Sequence, residues 1–556
     1  MKRGIFLLLV FLGYACSSHD PTAEVEGVVV AAHPLAAQAG ADILDRGGNA
    51  FDAAVATHFA LAVCYPRAGN LGGGGFAVLR EKNGKATTLD FRETAPEAAY
   101  PQMYLDSDGQ PIPNQSLAGG LAVAVPASVE GMWQMHQKYG RLPWNDLLTP
   151  AIQLAQNGVP ITAREADILQ RYQADLRQWN NEACPFVRDW KTGDTLIQTA
   201  LAQTLVQIQS RGKDAFYRGA TADAILTTTQ KTGGILTHQD LQSYRAKWRD
   251  PLLIPYKDLR LITMPPPSSG GVALGQLMLG TAAFPLAQWG HQDPRSLHVM
   301  TELQRRVYAD RARFLGDADF FPVPVDSLLR PEYMRWRFQD ISLTEKTPSE
   351  RIHSGTVTRI ESHETTHYSI VDAEGNAVSI TTTLNGNFGC KVWVPEAGFF
   401  LNNQMDDFSI KPGTPNQFGL VGGAANAILP GKRMLSSMTP TIVERQGDLW
   451  LVLGSPGGST IITTVYQVIL NLYEFGLSPA DAVRAKRVHS QWLPDEVYLE
   501  ARALDSASTA GLAAYGHHLK TWEAIGRVAL VVRQPDGILL GIPDSTRGDD
   551  TAAYAR

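Results

Sequence analysis

A turn at Val371-Asp372-Ala373-Glu374-Gly375-Asn376-Ala377 pins the register of a hairpin, and with it the placement of two threonines. Asp, Gly and Asn supply the turn chemistry. From Thr366 onward the residues alternate as strands do, with β-branched and aromatic side chains in His367-Tyr368-Ser369-Ile370-Val371. Centring the turn on Glu374 pairs Val371 with Ala377, Tyr368 with Ile380 and Thr365 with Thr383. Opposed side chains in such a pair have Cβ atoms about 4.5–5.5 Å apart, close enough for two hydroxyls to hydrogen-bond. On the hairpin alone, a structural threonine pair is the commoner meaning and a reactive pair the rarer one.

The same segment carries His363-Glu364-Thr365-Thr366-His367, which satisfies the H-E-x-x-H zinc pattern. Zinc needs both histidines on one face of a helix, one turn apart. In a strand, positions four apart are separated by about 13 Å, at ~3.3 Å per residue. Two imidazoles so placed cannot share one ion, so the strand reading argues for no metal.

Upstream, Pro34 to Arg46 has helical spacing and is stopped by Gly47-Gly48. Asn49 caps a second, apolar helix with Asp52 in its first turn. The cluster Gly69-Asn70-Leu71-Gly72-Gly73-Gly74-Gly75-Phe76 lacks a following Gly-Lys-Ser/Thr and opens no helix. It therefore reads as a close backbone approach between packed layers rather than a phosphate cradle. Phe76 to Leu79 and Thr87 to Phe91 are strands around the turn Lys82-Asn83-Gly84-Lys85. Residues 126–250 are mostly helical. Pro265 to Gly271 is a rigid turn leading into another helix. Residues 345–364 are polar and lack apolar periodicity, which predicts an exposed, poorly packed segment. Ser478-Pro479 starts a late helix. Cys64 sits in the apolar run Phe59-Ala60-Leu61-Ala62-Val63, as a packed core residue.

The first 18 residues read as an export signal: Lys2 and Arg3, then an apolar run from Ile5 to Leu12, too short for a spanning helix. Ala15-Cys16-Ser17-Ser18 resembles a bacterial lipoprotein site, with lipidation on Cys16. Plain cleavage to a soluble periplasmic protein is the alternative. A net charge of −6 leaves no basic excess to neutralise a phosphate backbone, which argues against nucleic acid as a partner. Four cysteines in 556 residues make no disulfide framework.

Several separated motifs share one resemblance. Glu364-Thr365-Thr366-His367-Tyr368-Ser369, Asn402-Asn403-Gln404-Met405-Asp406-Asp407-Phe408, Leu435-Ser436-Ser437-Met438-Thr439-Pro440-Thr441 and Gly454-Ser455-Pro456-Gly457-Gly458-Ser459 resemble the γ-glutamyltransferase family. So do Asp90-Phe91-Arg92-Glu93-Thr94-Ala95-Pro96, the Gly72 to Gly75 and Pro265 to Gly271 runs, and Tyr308-Ala309-Asp310-Arg311. The resemblance runs in order from about residue 26 to 550. It implies an α+β fold of the N-terminal-nucleophile hydrolase type, a four-layer αββα sandwich formed by both subunits of a cleaved precursor. The precursor would cut itself between Glu364 and Thr365, giving a large subunit (19–364) and a small subunit (365–556) that stay together as a heterodimer.

The implied roles follow the residue types. Thr365, freed at its amine, is the nucleophile, and the amine, with a reference pKa of about 8, is its general base. Thr383 orients the Thr365 hydroxyl. Backbone N–H groups at Gly457 and Gly458 form the oxyanion hole. Arg92 takes the α-carboxylate and Asp407 the α-ammonium of a γ-glutamyl group. Ser436 and Ser437 add hydroxyls to the carboxylate, and Asn385 and Gln404 add polar contacts near the ammonium. Donors would be glutathione and other γ-glutamyl compounds, acceptors water, amino acids or peptides. No cofactor is implied, and a membrane enters only through a lipid on Cys16. Pro412 to Gly423 resembles the loop that lids the pocket in some bacterial relatives, with Phe418 where those often carry Tyr.

Three other readings remain open. A cephalosporin or glutaryl acylase shares the fold, but a glutaryl side chain has no ammonium for Asp407. An uncleaved scaffold would bind γ-glutamyl compounds without turnover. A zinc peptidase would need the helix that the strand pattern opposes.

Overall fold

The computed structural model describes residues 27–352, 365–411, 413–414, 416–417, 420 and 422–556. The sequence-based expectations for Cys16, His363, Glu364 and Phe418 lie outside them.

Two antiparallel sheets form the centre. The strands are β1 (Gly27–Ala31), β2 (Gly74–Arg80), β3 (Ala86–Phe91), β4 (Lys247–Arg249), β5 (Leu252–Tyr256), β6 (Leu259–Thr263), β7 (Thr366–Asp372), β8 (Ala377–Thr383), β9 (Thr441–Arg445), β10 (Asp448–Gly454), β11 (Ala529–Arg533), β12 (Leu539–Pro543) and β13 (Thr551–Ala555). The first sheet runs β13-β1-β7-β8-β2-β3-β4 and the second β12-β11-β10-β9-β6-β5. The β7–β8 register pairs Val371 with Ala377, Tyr368 with Ile380 and Thr366 with Thr382, as the turn residues predict.

Strand alternation sorts the side chains into layers. Val28, Val30, Val78 and Val371 of the first sheet meet Ile262, Ile442, Val452 and Val531 of the second. The opposite face of the first sheet, with Val29, Tyr368, Ile370 and Ile380, packs on helices α1 (Pro34–Asp45) and α2 (Ala50–Cys64). Asn49 and Asp52 form a reciprocal capping box on α2, which is buried along its whole length. Behind them lie α3 (Ser128–Tyr139), α4 (Trp144–Asn157) and α6 (Thr199–Arg211), while α5 (Ala163–Trp179) packs in a separate cluster with Phe186, Phe388 and Trp393. The second sheet is covered by α7 (Gly270–Thr281), α8 (Pro294–Phe314) and α9 (Thr460–Tyr473), through Leu274, Leu277, Val299, Leu303, Val465 and Ile469. The result is the αββα sandwich. Ser478 caps the helix Pro479–Arg484, also as expected, and Cys64 is buried in the α2 core.

One expectation fails in the part of 345–364 that is described. Residues 345–352 are anchored rather than loose. Arg305 of α8 donates to the Thr347 carbonyl at 2.6 Å and to Ser349 Oγ at 2.6 Å, Lys346 pairs with Asp495 at 2.8 Å, and Ile352 is buried in the core. The contacts are mostly polar and to the backbone, so no apolar period announced them.

Candidate active site

The odd-numbered side chains of β7 and β8 point into the gap between the sheets. His367 Nδ1 hydrogen-bonds Thr381 Oγ1 at 2.8 Å, Ser369 Oγ donates to the Ala529 carbonyl at 3.0 Å, and Ser379 Oγ donates to the Leu453 carbonyl at 2.9 Å. Burial pushes the His367 pKa down to about 3. His367 therefore belongs to a strand, not to a zinc-binding helix, and hydrogen-bonds the neighbouring strand of its own sheet. Thr365 precedes β7 by one residue and Thr383 ends β8, so both stand at the mouth of the gap. They line one cleft together.

The glycine run makes that mouth possible. A Cβ on Gly73 would lie 2.0 Å from the Thr383 carbonyl oxygen, and one on Gly75 2.3 Å from that of Thr381. Asn70 Nδ2 then donates to the Thr383 carbonyl at 3.1 Å. Thr383 Oγ accepts the Asn385 backbone N–H at 2.8 Å, and Asn385, at φ +79°, turns its amide to the Asn403 carbonyl at 2.9 Å. The Thr383 hydroxyl is thus fixed as an acceptor on one side.

Gly457 and Gly458 lie between β10 and α9 at φ +133° and +52°, conformations that favour glycine. Gly458 lines the cleft with Thr365, and Gly457 lines an adjoining vestibule that Thr365 also borders. Among the described residues, neither N–H meets a protein acceptor.

Charge is concentrated deeper in the cleft. Arg92, at the end of β3, is fully buried and donates from Nη2 to Asp407 Oδ2. Gln404 Nε2 donates to the same oxygen at 2.9 Å, and Asn416 Nδ2 to Asp407 Oδ1 at 3.3 Å. Burial raises the Asp407 carboxyl above its ordinary range, against the pull of Arg92. Ser436 and Ser437 form the facing wall. Thr365, Thr383, Gly458, Arg92, Asn385, Gln404, Asp407, Ser436 and Ser437 all line this one cleft.

Arg311 was given no role from sequence, yet it belongs here. It extends from the last turn of α8, donates to Ser269 Oγ at 2.9 Å and to Ser437 Oγ at 3.2 Å, and is buried. Desolvation lowers its pKa to about 10. Its place in Tyr308-Ala309-Asp310-Arg311 was the available signal.

The model of the gamma-glutamyltranspeptidase family matches residues 36–554. The chain belongs to that family. It is 44% identical over 539 residues to the "Glutathione hydrolase proenzyme" of Escherichia coli (strain K12), covering 96% of this chain and 93% of the relative. It is 47% identical over 494 residues to the protein of the same name in Pseudomonas aeruginosa, covering 88% and 87%. Among solved structures, gamma-glutamyltranspeptidase of Helicobacter pylori is 42% identical with a TM-score of 0.57, over 58% of this chain and 94% of that one. Cephalosporin acylase from Bacillus halodurans is 28% identical with a TM-score of 0.83, over 98% and 99%. This γ-glutamyltranspeptidase-family chain thus has the N-terminal-nucleophile hydrolase fold and is an enzyme of the hydrolase and acyltransferase class.

Proposed function

We propose that this enzyme cleaves itself between Glu364 and Thr365 and then transfers γ-glutamyl groups from glutathione and related amides to water or to an amino acid or peptide. The observation that carries the reading is the convergence of Thr365, Thr383, Arg92 and Asp407 on one cleft. In the uncut chain the Thr365 nitrogen is an amide and cannot act as a base. Attack of Thr365 Oγ on the Glu364 carbonyl, followed by hydrolysis of the resulting ester, frees the amine. That amine, with a reference pKa of about 8, takes the hydroxyl proton in the second reaction. Thr365 Oγ then attacks the γ-carbonyl, Gly457 and Gly458 N–H groups receive the developing oxyanion, and the amine leaves with the proton. Water or an acceptor amine opens the γ-glutamyl ester.

Substrate choice follows from charge. An amino acid head carries one ammonium and one carboxylate, and Asp407, Arg92 and the serine hydroxyls match both. The acylase relatives favour a rival substrate, but a glutaryl group would bring no ammonium to Asp407. In the same reading, residues 1–18 export the chain to the periplasm, with lipidation of Cys16 or plain cleavage at the end. N-terminal sequencing of the smaller fragment tests the cleavage, and it must begin at Thr365. Turnover of γ-glutamyl-p-nitroanilide against glutaryl-7-aminocephalosporanic acid tests the donor. A single uncut band in fully active enzyme, or preference for the glutaryl compound, overturns the reading.

A further inference from the structure

Thr365 borders two spaces of different character. One is the cleft with Arg92 and Asp407, where the free volume is only ≈ 20 Å³. The other is an open vestibule of ≈ 730 Å³. An acyl transfer has two sides. With the acyl group held in the cleft, the amine that leaves or arrives stands on the vestibule side of the reacting carbonyl.

The vestibule is rich in arginine. Five arginines line it, Arg67, Arg164, Arg171, Arg527 and Arg547, against two acids, Asp167 and Glu523. Three of the arginines are buried and paired in the framework: Arg67 with Glu165 at 3.1 Å, Arg527 with Asp550 at 2.9 Å, and Arg547 with Asp544 at 3.0 Å. The other two come from α5. Positions 164 and 171 are seven apart, so they share one face of the helix, with Ile168 and Tyr172 on the same face. Arg164 is 42% exposed, donates to the Arg547 carbonyl and lies 3.8 Å from the Asp549 carboxylate. Arg171 is exposed, and among the described residues it meets no protein acceptor.

We propose that Arg171, with Arg164 beside it, binds the carboxylate of the amine-bearing partner. The vestibule is then a subsite that selects acceptors and leaving groups with a free carboxylate. This rests on the γ-glutamyl-transfer reading. A guanidinium presents paired N–H donors that match a carboxylate, and Arg171 is the arginine of the vestibule whose charge no ion pair offsets among the described residues. An amine without a carboxylate gains no such pair.

The test uses processed enzyme with γ-glutamyl-p-nitroanilide as donor and glycylglycine or glycylglycinamide as acceptor. Wild type must show a lower KM for the free acid than for the amide. In Arg171→Gln the KM for the free acid should rise about fivefold or more, so that the preference shrinks, and Arg171→Lys should keep part of it. Arg335→Gln, on the far-exposed helix Pro331–Phe338, is the control and should keep the wild-type ratio. Equal KM values for acid and amide in wild type, or an unchanged ratio in Arg171→Gln, overturn the subsite. Failure of wild type to release p-nitroaniline before any acceptor is added is a separate result. It overturns the γ-glutamyl reading and the subsite with it.

Discussion

Arg92 and Asp407 hydrogen-bond each other across the floor of the cleft, so the two charges that would hold opposite ends of a γ-glutamyl group neutralise one another before it arrives. In the proposed reaction a donor's ammonium and carboxylate would replace that pair with two new ones, so that neither buried charge would be left uncompensated during binding. Arg92 also lies 3.6 Å from the buried Glu93, whose pKa burial pushes up to about 7.

Asp407→Asn should therefore raise the donor KM by about 30-fold or more while leaving cleavage of the precursor nearly intact, because truncating one member of a buried charge pair costs at least ~2 kcal/mol. The pH dependence has a definite sign. The Asp407 carboxyl is held above its ordinary range, so it takes up a proton earlier on acidification than an exposed aspartate would. Only the ionised form pairs with an ammonium. The wild-type donor KM should rise as pH falls through that raised range and be flat above it, and Asp407→Asn should abolish this limb. Equal loss of cleavage and donor binding in the variant would make Asp407 a structural residue.

Thr365→Ala should give one uncut chain on a denaturing gel and lower γ-glutamyl turnover by about 10⁴-fold or more, since removal of a nucleophile leaves only binding and oxyanion stabilisation. Thr365→Ser should still process, more slowly. Two subunits in the alanine variant would show that another group performs the cut.

The hairpin was legible because turn residues and strand alternation are local, and they fixed the β7–β8 register as far as the Thr366–Thr382 pair before any tertiary contact was considered. The glycine run was legible as a close approach for the same reason, since each missing Cβ is a local fact. Charge partners were not. Arg311 reaches Ser269 and Ser437 from a helix distant in sequence, and apart from its place in the Tyr308-Ala309-Asp310-Arg311 motif nothing local distinguishes it from a surface arginine. The pairing of the two sheets was equally silent, because β6, the β9–β10 hairpin and β11 come from widely separated parts of the chain. That part of the fold came from resemblance. The anchoring of residues 345–352 was hidden because arginine contacts to carbonyls leave no periodic trace.

Glu444 ties the two sheets. It is fully buried on β9, accepts from Arg80 of β2 at 2.7 Å, and also pairs with Arg260 of β6. Glu444→Gln strands the buried Arg80 charge and should cost about 3 kcal/mol of stability. Arg260 is 48% exposed, so Arg260→Ala should cost less than ~1 kcal/mol. Thermal unfolding of the two variants side by side checks the order. A larger drop in Tm for Arg260→Ala would place the inter-sheet tie elsewhere.

Gly457→Ala tests the oxyanion assignment separately from donor binding. At φ +133° an alanine is strained, and its Cβ would lie 2.4 Å from Thr460 Oγ1, so the backbone must shift and carry the residue 457 N–H with it. An oxyanion donor acts on charge that develops in the transition state, so its displacement lowers kcat and spares the ground state. Steady-state kinetics of the processed variant should show kcat for γ-glutamyl-p-nitroanilide down by about 100-fold with the donor KM within a factor of about two. Far-ultraviolet circular dichroism should match wild type. A raised KM at unchanged kcat would mean that Gly457 shapes the substrate's binding surface and that the oxyanion is stabilised by other donors.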